Sequence, residues 1–367
     1  MDLSKLRAVI PPICLVLALV VLVNVSYMSV KVSTTPLSES PLYGQYDVEY
    51  ASASNGVVSE SLPLPSPSAA VKRVQRLPQC LIIGVRKGGT RALLDALALH
   101  PQIRVARREM HFFNSNETYA KGIDWYRSQM PFTYDGQDKN ALNSFGAVLT
   151  NKLGIADWMK RQQASKFQVT IEKTPGYFTN QFAAERAYRM NSTVKLILIV
   201  RDPVTRAISD FTQVIHTKQE RNKTLPDFET EAFLQSDAQT INVDYKPVRN
   251  SLYSLHLREW LKYFPLQNFL ILDGDRFVLQ PLIELRKVER FLRVAANGID
   301  KDQVVFNRRK GFYCFRQKDH RTAKCLGNTK GRAHAQISQH SQQKLRKNFL
   351  AYNRQFYKMV NRWWPWD

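Results

Sequence analysis

The stretch "LIIGVRKGGTRALLDALALHP", residues 81–101, decides the fold. An apolar run gives way to a glycine loop, and the loop to apolar residues at helical spacing, ended by Pro101. That order reads as strand, turn and helix. Glycines let backbone N–H groups close on an anion, and a helix N-terminus adds a favourable field. The loop also carries Arg86, Lys87 and Thr90, more chemistry than a plain turn needs. A phosphate compound is the expected ligand. A Walker loop would read G-x-x-x-x-G-K-[ST], with the final hydroxyl on Mg²⁺. Here Lys87 precedes Gly88 and Gly89, and no Lys-[ST] follows them. A metal-dependent nucleotide hydrolase is disfavoured, and no metal is expected.

Downstream the pattern alternates. "QVTIEKTP" (168–175) is a strand stopped by proline, and "VKLILIV" (194–200) is a continuous apolar run suited to a parallel sheet covered on both faces. "RAISDFTQVIHTK" (206–218) is a helix, and "NFLILDGDRF" (268–277) is a buried strand ending in a turn. Such alternation predicts one doubly wound α/β domain, a central parallel sheet with helices on both faces. Ligands of these sheets bind at the carboxyl ends of the strands. "GVRKGGT", "EKTP" and "VRDP" should therefore converge on one edge.

The formal charge is +22, from 53 basic and 31 acidic residues, which implies polyanionic partners. Residues 8–30 carry no charge and follow Lys5 and Arg7. Their length suits a bilayer, with residues 1–7 cytoplasmic and the rest luminal. A cleavable signal peptide fits less well, because Asn24 or Tyr27 would fall at the −3 position. Residues 31–76 are rich in Ser and Pro and read as a luminal stem before a domain over 77–367. A luminal domain is consistent with sequons at Asn116, Asn191 and Asn222. It also makes Cys314 and Cys325, which flank a short basic segment, the expected disulfide, with Cys80 a buried thiol. Nucleic acid is a poor fit for a luminal chain without a nucleic-acid motif.

"RKGGTRALLDALALHP", "EMHFF", "IEKTPGYF", "LIVRDPVTRAISDFTQV", "GFYCF…CL" and "KGRAH" occur in this order. Together they resemble the heparan sulfate glucosamine 3-O-sulfotransferases, from about residue 77 to 367. The resemblance implies a P-loop-like sulfotransferase fold, a Golgi type II membrane enzyme, the donor PAPS (3′-phosphoadenosine 5′-phosphosulfate) and the acceptor heparan sulfate. It implies that Lys87, Gly88, Gly89, Thr90 and Arg91 cradle the 5′-phosphosulfate, and that Arg201 and Ser209 bind the 3′-phosphate. Lys330, Gly331, Arg332, Ala333 and His334 match a further donor loop. Glu109 is the implied general base, His111 its support, and Lys173 a catalytic cation that also holds Glu109. From the residues alone, His111 serves as base equally well. Arg107, Arg108, Thr174, Pro175 and Tyr177 are implied acceptor contacts, and Lys121 is a further candidate cation. "ERNKT" (220–224) and "VRNSLY" (248–253) resemble the broad or type-5-like members.

Three departures stand out. Residues 138–167 extend a connector that is short in the family, and the extension bears on the acceptor cleft or on activity. Asn114 stands where the family usually has Asp, which removes a charge near Glu109. Gly176 replaces a common Ala. Two alternatives follow: another PAPS-dependent transferase, such as a glucosamine N-sulfotransferase, or a catalytically weakened heparan-binding homologue.

Overall fold

A computed structural model describes residues 73–134, 168–318, 320–327 and 333–366, all within the unit Pro65–Asp367. The expected anchor (8–30), the stem up to residue 72, the insertion (138–167) and Lys330–Arg332 lie outside the described residues. Among the described residues no helix is long and apolar enough to cross a membrane.

β1 (Arg73–Gln75) leads to β2 (Cys80–Gly84), the strand of the opening motif. Helix α1 (Thr90–Leu97) follows its glycine loop, then β3 (Ile103–Val105), β4 (Phe132–Tyr134) and β5 (Val169–Lys173). Next come α2 (Ala183–Met190), β6 (Lys195–Val200), α3 (Pro203–Glu220), α4 (Tyr253–Leu261) and β7 (Phe269–Asp273). The chain continues through α5 (Gly274–Leu279), α6 (Pro281–Leu292), the hairpin β8 (Val304–Asn307) and β9 (Phe312–Phe315), and α7 (Gln339–Val360).

The main sheet has the order β3-β5-β2-β6-β7, and every pairing in it is parallel. Alternate residues of one strand feed opposite faces. Leu81, Ile83 and Val85 enter one core with Ala187 of α2 and Leu257 and Trp260 of α4. Cys80 and Ile82 enter the other with Leu93 and Leu97 of α1 and Leu285 and Val288 of α6. The sheet is thus covered on both faces, as the alternating sequence predicts. Cys80 is a free thiol, and burial pushes its pKa far above the ordinary value, so it stays protonated.

Two elements differ from the sequence reading. Edge strand β3 is only three residues long and gives no periodic signal of its own. "NFLILDGDRF" ends as strand at Asp273, whose carboxylate accepts from Arg276 N at 2.9 Å and caps α5. The turn expected there is a helix start. The Cys314 and Cys325 sulfurs lie at bonding distance, 2.09 Å apart.

Candidate active site

β5, β2 and β6 are neighbours, so "EKTP", "GVRKGGT" and "VRDP" meet at one edge of the sheet. A cleft of about 1030 Å³ runs along that edge. Lys87, Gly88, Gly89, Thr90, Arg91, Glu109, His111, Lys173, Pro175, Arg201, Ser209 and His334 all line it. This is the switch point of the sheet, where the chain passes from the β5 side of β2 to the β6 side.

The loop is shaped by close backbone approaches. A Cβ on Gly88 would lie 2.5 Å from the Ile199 carbonyl, and one on Gly274 2.7 Å from the Gly88 carbonyl. Gly89 has φ +104° and is the N-cap of α1. Lys87 has φ +71°, a conformation held against the preference of a side-chain-bearing residue. With no side chain at Gly88 or Gly89, the first-turn N–H groups of α1 are open to an anion. The cradle therefore fits a phosphosulfate group.

Arg86 also lines the cleft, but its guanidinium is tied down from behind. Its Nε donates to Asp210 at 2.8 Å, and the fully buried Arg206 donates to the same carboxylate at 2.9 Å. Arg206 also donates to the Arg86 carbonyl at 3.3 Å and to Ser251 at 2.7 Å. Burial works against the Asp210 charge, but Arg206 and Arg86 outweigh it and hold the carboxyl below the usual range. Sequence reading missed this brace. The i, i+4 spacing of Arg206 and Asp210 in "RAISD" was its only signal.

Arg201 pairs with Asp275 at 3.1 Å, not with its neighbour Asp202. Asp202 instead caps α3, accepting from Thr205 N at 2.6 Å. His334 faces this corner: burial, then the charges of Arg201 and Lys87, push its imidazole down toward the neutral form. Ser209, two turns along α3, completes the group. Ala333 is exposed and does not line the cleft.

In the same cleft, Lys173 donates to Glu109 Oε1 in a close ion pair, and Lys173 is only 3% exposed. His111 Nε2 lies 3.6 Å from Glu109 Oε2, and its Nδ1 lies 3.3 Å from Asn114 Oδ1. Asn114 thus faces His111 and reaches Glu109 only through it. A Cβ on Gly176 would come 2.9 Å from Asn114 Nδ2. Gly176→Ala should push that amide aside at a cost of about 0.5–1.5 kcal/mol. We expect kcat to change less than about tenfold and donor KM not at all; steady-state kinetics check this.

The implied acceptor contacts divide. Thr174 and Tyr177 are fully buried and off the cleft wall. Arg107 pairs with Asp95 at 3.3 Å, and Arg108 and Lys121 are exposed, all three away from the wall. Lys246 and Arg249, which sequence reading did not single out, do line it. Among the described residues the wall carries seven Lys or Arg against Glu109 and Glu220, a setting for polyanions. Of the sequon residues, Asn222 is exposed, Asn191 accepts from Thr193 N at 2.8 Å, and Asn116 Oδ1 accepts from Arg186 at 2.6 Å.

Residues 77–359 match the Sulfotransferase domain family. The chain is 44% identical over 293 residues to heparan sulfate glucosamine 3-O-sulfotransferase 5 of Mus musculus, covering 80% of this chain and 75% of that one. The chain belongs to this 3-O-sulfotransferase family. Heparan sulfate glucosamine 3-O-sulfotransferase 3A1 of Mus musculus is 39% identical over 298 residues, covering 80% and 65%. A solved sulfotransferase from Alicyclobacillus acidocaldarius shares the fold at TM-score 0.50 and 16% identity, over 79% of this chain and 99% of that one.

Proposed function

We propose that this 3-O-sulfotransferase family member moves a sulfuryl group from PAPS to the 3-hydroxyl of glucosamine in heparan sulfate. The observation that carries the reading is one cleft lined by both a glycine-shaped anion cradle and the Glu109–Lys173 pair. When bound, PAPS supplies the sulfuryl group and leaves as PAP. The α1 N-terminus and Lys87 hold the 5′ end and stabilise charge on its phosphate. Arg201, Ser209 and His334 hold the 3′-phosphate. Glu109 accepts the proton of the sugar hydroxyl as its oxygen bonds to sulfur, because a neutral hydroxyl is a poor nucleophile. Lys173 pairs with Glu109 and orients it, and His111 backs it. The charge-free stretch 8–30 supports a type II Golgi enzyme facing the lumen, where heparan sulfate chains are modified.

Full-length protein incubated with radiolabelled PAPS and heparan sulfate, followed by disaccharide analysis, tests the reading. Label at glucosamine O-3 is the expected result. Label on nitrogen would favour the N-sulfotransferase alternative. Binding without transfer would favour the weakened heparan-binding homologue, and deletion of residues 138–167 would then show whether the insertion is the cause.

A further inference from the structure

Glu172 is fully buried at the end of β5, and three donors converge on its carboxylate. Thr174 Oγ1 donates to Oε1 at 2.5 Å, the Tyr126 hydroxyl donates to Oε2 at 3.2 Å, and the Met110 amide reaches Oε1 at 3.4 Å. The Tyr177 phenol lies near enough to feel the same charge. Lys173, the next residue along the strand, pairs with Glu109 instead. The Thr174 and Tyr177 hydroxyls also hold the loop that carries Glu109. Thr174 Oγ1 accepts from Met110 N at 3.1 Å and from His111 N at 3.4 Å. The Tyr177 hydroxyl accepts from Phe112 N at 3.1 Å. A hydroxyl whose proton points at an anion keeps its lone pairs turned to those amides.

We propose that Glu172 is a positioning residue: its carboxylate orients the Thr174 hydroxyl, which holds the backbone amides of Met110 and His111 and so fixes Glu109 against Lys173. The proposal rests on the reading of Glu109 as general base. It gives Thr174 a loop-holding task, consistent with its complete burial. Burial pushes the Glu172 carboxyl up to about 7, although Thr174, the Met110 amide, Tyr126 and Tyr177 pull it down. Burial raises both phenols, so they stay protonated and able to donate. Once protonated, Glu172 is itself a donor and must turn one of these hydroxyls into its acceptor, which loosens the set. Positioning is complete above that pKa and weakens below it.

The test uses full-length protein over pH 5.5–8.5, with kinetics and hydrogen exchange of a peptide spanning Met110–Phe112. Wild-type kcat should show a limb near pH 7. Glu172→Gln should lower kcat about tenfold, keep the PAPS KM within about twofold and remove the limb. Tyr126→Phe deletes one donor to the anion and should move the limb to higher pH. Thr174→Val should lower kcat, and Thr174→Ser should retain it. Exchange, corrected for intrinsic rate, should rise on acidification in wild type and become pH-independent in Glu172→Gln. An unchanged kcat and limb in Glu172→Gln overturns the proposal, as does a loss of PAP binding equal to the loss of kcat. If wild type transfers no sulfate to heparan sulfate, the functional reading fails and exchange alone decides. Protection that depends on Glu172 upholds the positioning role, and protection indifferent to it overturns that role.

Discussion

Glu109→Gln should slow sulfuryl transfer by about 10²–10⁴-fold, the usual contribution of a positioned general base. The variant keeps the shape of the side chain and an oxygen for Lys173, but it cannot take a proton at neutral pH. The change therefore removes the base and leaves the donor cradle, which is built from the separate loop at residues 86–91. PAP binding measured by calorimetry should stay within about twofold, so the loss should fall on kcat. Lys173 is nearly buried and loses its carboxylate partner, so thermal unfolding must be followed in parallel. A drop below about tenfold would move the proton to His111, whose Nε2 sits 3.6 Å from the same carboxylate. That choice was open in the sequence, where Glu109 and His111 are two residues apart.

The sequence made the doubly wound sheet legible because its buried parallel strands carry unbroken apolar runs, and "LIIGV" and "VKLILIV" leave no other reading. It also brought Lys87, Lys173 and Arg201 to one edge, since ligands of such sheets gather at strand ends, while Ser209 came from the family resemblance alone. Side-chain direction was not legible. Arg86 and Lys87 are adjacent, equally basic and both at the cleft, yet the Arg86 guanidinium is tied to Asp210, a partner 124 positions away. Thr174 and Tyr177 lie beside Lys173 in the motif but point into the core. Arg107 lies two residues from Glu109 but pairs with Asp95 of α1. A motif marks a stretch of chain, and the pleat and the partners decide which of its side chains reach the cleft.

Asp210→Asn should destabilise the fold by about 3–5 kcal/mol, because it leaves Arg206 charged and buried without its counter-ion. For a domain of this size that corresponds to a melting-temperature fall on the order of 6–20 °C. The folded-state carboxyl lies below its unfolded value, so the stabilisation is fully present above about pH 4. It is lost as the pH falls through the folded-state value, and the wild-type advantage over Asp210→Asn should narrow on acidification. The same substitution should weaken PAP binding, because Asp210 anchors Arg86 and Arg206 holds the Arg86 carbonyl, one residue before Lys87. A double variant, Arg206→Met with Asp210→Leu, separates the two effects. Replacing both ions with apolar groups removes the unpaired charge and should recover much of the stability. It cannot restore the bonds to Arg86, so PAP binding should stay weak. Recovery of both would mean that the brace serves the fold alone. Recovery of stability without binding would assign it to the donor loop.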